Sequence, residues 1–175
     1  MYKRQDYARL NTPTRHILEE QLAVLEHGVQ AFATSSGMSA IDLVFSTVLK
    51  TGDHFLTSND LYGGTYRYFD GLVTQRGVSY DPCSNLDDFL EKIQPKTKLI
   101  WLETPSNPMM KLFDIQQISA TVKAKYPNIL IAVDNTFLTP IYQQPLTLGA
   151  DIVVHSATKY LGAVSYTHLR AHETE

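Results

Sequence analysis

Four short clusters in this 175-residue chain carry residue types suited to chemistry. In Ser35-Ser36-Gly37-Met38, small residues open a helical pattern. Free backbone N–H groups and the positive end of the helix dipole make such a start an anion site suited to phosphate; a plain helix cap is the simpler use. In His155-Ser156-Ala157-Thr158-Lys159, a lysine follows an apolar run with two hydroxyls close by. A lysine pointing into a cleft is desolvated, which lowers its pKa and makes the amine nucleophilic, whereas one on an exposed loop stays charged. The Ser156 and Thr158 hydroxyls suit phosphate oxygens. Asp134 closes the run ILIAVD. A carboxylate there can pair with a protonated pyridinium nitrogen, or cap the following turn. Tyr62, in Leu61-Tyr62-Gly63-Gly64, offers a flat ring either for stacking or for the core.

Together these residues form one constellation. A phosphate cradle, a stacking aromatic, an acidic partner for a ring nitrogen and a reactive lysine are what pyridoxal 5'-phosphate (PLP) requires. A competing reading is a non-catalytic α/β module that binds phosphate at residues 35–38, but no Walker or G-x-G-x-x-G pattern supports it.

The elements that must position these residues follow from the hydrophobic pattern. Strands are predicted over 54–58, 98–103, 129–134 and 151–155. The runs LIWLE, ILIAVD and DIVVH are almost continuously apolar, as in strands covered on both faces. Helices fill the gaps. Thr12 and Pro13 open one whose Ile17, Leu18, Leu22 and Leu25 share a face, closed by Gly28. Others are predicted over 38–50, 65–76 and 86–93, and a fifth from the N-cap Asp114 to before Pro127. The alternation predicts an α/β three-layer sandwich with a mainly parallel sheet. In such sheets sites form at the carboxyl ends of the strands, and the clusters at 103–108, 134–136 and 155–159 stand there.

Composition narrows the class. Apolar residues make up 43% and charged residues 19%, ordinary values for a globular domain. A net charge of -3 gives no reason to expect nucleic acid. No apolar run reaches membrane-spanning length, and one cysteine, Cys83, permits no internal disulfide. The expectation is a cytoplasmic protein.

The stretches YARLNTPT, ATSSGMSA, DLYGGTY, ETPSNP, VDNTFLTP and HSATKYLG carry a resemblance. Over residues 6–162 the chain resembles the Cys/Met-metabolism family of PLP enzymes, which includes cystathionine γ-synthases, cystathionine β- and γ-lyases, O-acetylhomoserine sulfhydrylases and methionine γ-lyases. The resemblance implies the large PLP-binding domain of a fold-type I (aspartate-aminotransferase-like) enzyme. It implies Lys159 as the Schiff-base lysine and Asp134 as the pyridinium partner. Gly37 and Met38 become backbone phosphate binders, aided by Ser156 and Thr158. Tyr62 becomes the stacking tyrosine that also moves protons, and Asn107 stands near the cofactor's 3′-oxygen. Tyr7 and Arg9 match a pair reaching across a dimer interface to the neighbouring phosphate, where an arginine fork suits the anion. The implied reaction is elimination or replacement at the β or γ carbon of a sulfur amino acid, in a homotetramer built as a dimer of dimers. Methionine γ-lyases commonly carry cysteine where this chain has Gly64, so the resemblance favours a cystathionine γ-synthase or β-lyase type, with O-acetylhomoserine sulfhydrylase next.

The chain also departs from the family. The tail 163–175 is expected to lie outside the resemblance, and both it and residues 1–5 resemble translated adaptor sequence. The smaller C-terminal domain, with the arginine that grips the substrate carboxylate, has no counterpart here, so the chain alone is expected to show little or no turnover. His168 and His172, four apart beside Glu173, have metal-ligand spacing but lie in that tail, and no zinc site is expected. His16 and His27 are expected on the polar side of the first helix, and His155 beneath the cofactor loop without a role. Cys83 is expected as a structural thiol in a loop.

Overall fold

A computed structural model describes residues 12–162. Helix α1 spans Pro13–Leu25; the Thr12 side chain accepts from the Arg15 N–H at 3.2 Å, and proline fills the first turn. Helix α2, Gly37–Val48, starts at a reciprocal capping box between Ser36 and Ser39. Strand β1 is His54–Ser58. Helix α3, Gly63–Arg67, runs into a π-helical segment, Tyr68–Val73. Then follow β2 (Ser79–Cys83), α4 (Leu86–Lys92), β3 (Thr97–Glu103), α5 (Ile115–Lys125) and β4 (Leu130–Asp134). A short α6 (Thr139–Tyr142) and a 3-10 turn (Pro145–Leu148) lead to β5, Ile152–Val154.

The five strands form one parallel sheet in the order β2-β1-β3-β4-β5. The apolar runs make sense because alternate side chains serve different cores. Ile100, Leu102, Ile131 and Val133 pack with Phe89 of α4 and with Ile115, Ile118 and Val122 of α5. Leu99, Trp101, Ala132 and Val154 face the other way, toward Ile41 and Phe45 of α2 and toward Phe69 and Val73. Phe45 is the hub of that second core, with ring centroids 4.5–5.9 Å from Phe55, Tyr68, Phe69 and Trp101. Helices on both faces give the expected three layers. Among the described residues, no helix is long and apolar enough to cross a membrane.

Several expectations need correction. Cys83 is not in a loop; it closes β2, where it is fully buried. That strand reads Ser-Tyr-Asp-Pro-Cys and was missed because it lacks an apolar pattern; as the edge of the sheet it tolerates Pro82. The expected helix over 65–76 begins earlier and is π-helical through its middle. His27 lies past the end of α1, with φ 56°. On α1 itself, Ile17, Leu18 and Leu25 are about half exposed and Ala23 is the buried residue. No described element covers that apolar face. Tyr7, Arg9, His168, His172, Glu173 and the ends 1–5 and 163–175 lie outside the described residues.

Candidate active site

The carboxyl ends of the parallel strands and the start of α2 enclose a cavity of about 710 Å³. Gly37, Met38, Tyr62, Asn107, Asp134, Ser156, Thr158 and Lys159 all line it. Every candidate within the described residues is therefore brought to one place, from segments scattered along the chain.

One wall is the start of α2. The Ser36 hydroxyl accepts from the Ser39 N–H at 3.1 Å, and the Ala40 N–H turns back to the Ser36 carbonyl at 3.0 Å. Among the described residues, no acceptor meets the Gly37 and Met38 N–H groups. The facing loop comes unusually close: a Cβ on Gly37 would lie 2.8 Å from Ser156 Cβ. Glycine is needed there for approach, since φ is not positive. The Ser156 and Thr158 hydroxyls meet at 3.0 Å, and the Lys159 N–H donates to the Ser156 carbonyl at 3.0 Å, so the turn that presents the lysine is closed on itself.

Asp134 ends β4. Its Oδ1 accepts from the Thr136 N–H at 3.0 Å and from the Thr136 hydroxyl at 2.5 Å. The same hydroxyl accepts from the Ser156 N–H at 2.8 Å. Thr136 thus links the carboxylate to the turn that begins at Ser156. Oδ2 has no protein donor among the described residues. Burial pushes the Asp134 pKa up, while the two Thr136 donors and His155 pull it down. A cationic partner at Oδ2 would offset the burial.

Beneath this floor, His155 Nε2 lies 2.5 Å from Glu26 Oε1, and Glu26 is 3% exposed. Asn135 Nδ2 donates to the same oxygen at 3.1 Å. The expectation that His155 sits under the loop holds. Its carboxylate partner was missed, because Glu26 lies far away in sequence at the end of α1.

Glu103 was also given no role. It ends β3, is 5% exposed and lines the cavity. Both of its oxygens accept from the Tyr62 N–H, at 3.1 and 2.9 Å. Burial, with the nearby Asp134 charge, pushes its pKa up to about 8 against the pull of the Tyr62 and Asn107 N–H groups. Its signal in the sequence was a carboxylate at the end of a buried strand. Thr136 and Phe137 likewise followed a recognised strand end and line the cavity.

The residues fit PLP on these grounds: free N–H groups at a helix start, a carboxylate with one oxygen open, and a lysine at the same cavity. A three-layer α/β domain with its site at the strand ends is the large-domain architecture of fold-type I PLP enzymes. The sequence profile described as Cys/Met metabolism PLP-dependent enzyme matches residues 2–167, and the chain belongs to that family. Cystathionine beta-lyase of Lactococcus lactis subsp. cremoris (strain MG1363) is 52% identical over 165 residues, covering 93% of this chain and 43% of that protein. A cystathionine gamma-synthase/O-acetylhomoserine (thiol)-lyase of Bacillus subtilis (strain 168) is 48% identical, covering 90% and 42%. The crystal structure of cystathionine gamma-lyase from Lactobacillus plantarum complexed with L-serine superposes with a TM-score of 0.86 at 42% identity, covering 93% of this chain and 42% of that one. The chain spans less than half the length of the curated relatives it matches.

Proposed function

We propose that this chain is the cofactor-binding core, over residues 6–162, of a transsulfuration enzyme of cystathionine β-lyase or cystathionine γ-synthase type. It would eliminate or replace a group at the β or γ carbon of a sulfur amino acid. The observation that carries this reading is the convergence of the eight candidate residues on one cavity. Relatives named for cystathionine chemistry support the substrate class. The name of the Bacillus subtilis relative makes O-acetylhomoserine chemistry the second reading.

When bound, PLP supplies an electron sink for the carbon next to the substrate amine. The protein's part is placement and electrostatics. The Gly37 and Met38 N–H groups and the Ser156 and Thr158 hydroxyls would hold the phosphate. Asp134 Oδ2 would keep a proton on the ring nitrogen, with Oδ1 fixed by Thr136. The Tyr62 ring would cover one face of the cofactor and exclude water, and Asn107 would stand beside its 3′-oxygen. The Lys159 amine would anchor the cofactor and afterwards carry protons at the substrate carbons, assisted by the Tyr62 hydroxyl.

The apolar face of α1 supports self-association, with Tyr7 and Arg9 reaching a neighbour's phosphate in a dimer of dimers. A cytoplasmic location goes with this reading.

Adding PLP to the full-length protein tests it. The absorbance of covalently bound cofactor is expected in the wild type and absent in Lys159→Ala. Phosphate binding at the α2 start indifferent to that substitution, with no covalent absorbance in the wild type, would favour a plain phosphate-binding module.

A further inference from the structure

Tyr62 is held in an unusual way. The residue is 47% exposed, so it is not locked in the core. It precedes α3 as the N-cap residue, yet its side chain makes no capping bond. The ring folds against Gly64, where a Cβ would come 2.4 Å from Tyr62 Cε1. The firm attachment is the backbone N–H, received by both oxygens of a carboxyl group buried at the end of β3. Such a hydrogen bond strengthens when the carboxyl group is ionised.

We propose that Glu103 is the positioning residue for Tyr62: its buried carboxyl group grips the Tyr62 N–H and so sets where the ring stands over the cavity. The inference rests on the reading of Tyr62 as the ring that covers the cofactor. Glu103 is faced by Asp134, its register partner on β4, by Asp60 from the segment before α3, and by the Tyr62 and Asn107 N–H groups. Burial and the two carboxylates favour its neutral form, with titration near pH 8. The ionised form is the better acceptor, so the grip on Tyr62 tightens as pH rises through that value.

The test compares wild type, E103Q and E103A in the full-length protein, by hydrogen exchange of the Tyr62 amide and by PLP affinity. E103A should expose the amide about tenfold more and weaken PLP binding about tenfold, the worth of one such hydrogen bond. In a Y62A background, the added effect of E103A on affinity should fall below about twofold, because Glu103 acts through Tyr62. Should E103A not fold, E103Q decides: the wild-type protection factor of the amide should rise between pH 7 and 9, and that of E103Q should stay flat. Unchanged amide protection in E103A overturns the proposal, as does an equal loss of affinity with and without Tyr62. If Y62A alone leaves PLP affinity intact, the cofactor role of Tyr62 fails and the exchange data alone judge Glu103.

Discussion

Replacing Gly37 by alanine perturbs the cradle at its tightest point. The added Cβ would lie 2.8 Å from Ser156 Cβ, 2.9 Å from its Oγ and 3.1 Å from its Cα. Carbon atoms pack at about 3.5–4.0 Å, so α2 and the 156–159 turn must part by roughly 0.7 Å or more. Overpacking of this kind costs about 1–3 kcal/mol, and the gain from replacing a helical glycine offsets about 0.5–1 kcal/mol of it. The net loss, up to roughly 2.5 kcal/mol, lowers Tm by up to about 10 °C for a domain of this size. The effect on the cofactor is larger, because the widened cradle loses a charge-assisted contact worth about 1.5–3 kcal/mol, or on the order of 10- to 150-fold in Kd. The assay is a PLP titration followed by absorbance, with Tm measured alongside. Gly71→Ala is the control, because no atom lies within 4 Å of its added Cβ. A G37A protein that binds PLP within about threefold of wild type refutes the close-packed phosphate cradle.

Three further outcomes are expected. Gly64→Ala should displace the Tyr62 ring, since the new Cβ would lie 2.4 Å from Cε1; altered fluorescence or a crystal structure reports it, and an unmoved ring contradicts the packing described. His54 is 1% exposed and bonds Thr97 and Asp81 at 2.8 and 3.2 Å; burial depresses its pKa below 6.5, against the pull of Asp81. The unfolded chain therefore takes up that proton first, so stability present above pH 6.5 is lost as pH falls below it; Tm of H54Q should vary less between pH 7 and 5 than that of wild type. Cys83 is fully buried and its thiol is pushed up to about 12 by burial, so native protein should resist iodoacetamide at pH 8 and react after unfolding; rapid native labelling contradicts this.

Where side-chain pattern reports burial, the sequence was a good guide. The continuous runs of β3 and β4 mark strands covered on both faces, and Thr12, Ser36 and Asp114 cap the helices they precede. The candidate residues came together because strand ends in a parallel sheet share one rim. What escaped depends on partners distant in sequence. Ser79–Cys83 is a strand only because β1 pairs with it. The π-helical stretch after Arg67 follows from packing Tyr68, Phe69 and Val73 into the aromatic core, and no residue type announces it. Glu103 and Glu26 look like ordinary acids until Tyr62 and His155 are found beside them.

The parallel order of the sheet also sets when the site can exist. Gly37 stands on an early element and Lys159 follows β5, which among the described residues joins the sheet by pairing with β4. At elongation rates of about 5–20 residues per second, the cradle's first wall waits on the order of ten seconds for its lysine. Every strand pairing is also between segments remote along the chain, the slow class of contact to form. On the proposed reading, a nascent chain has the α2 start well before it has Lys159, so cofactor loading would follow the docking of β5.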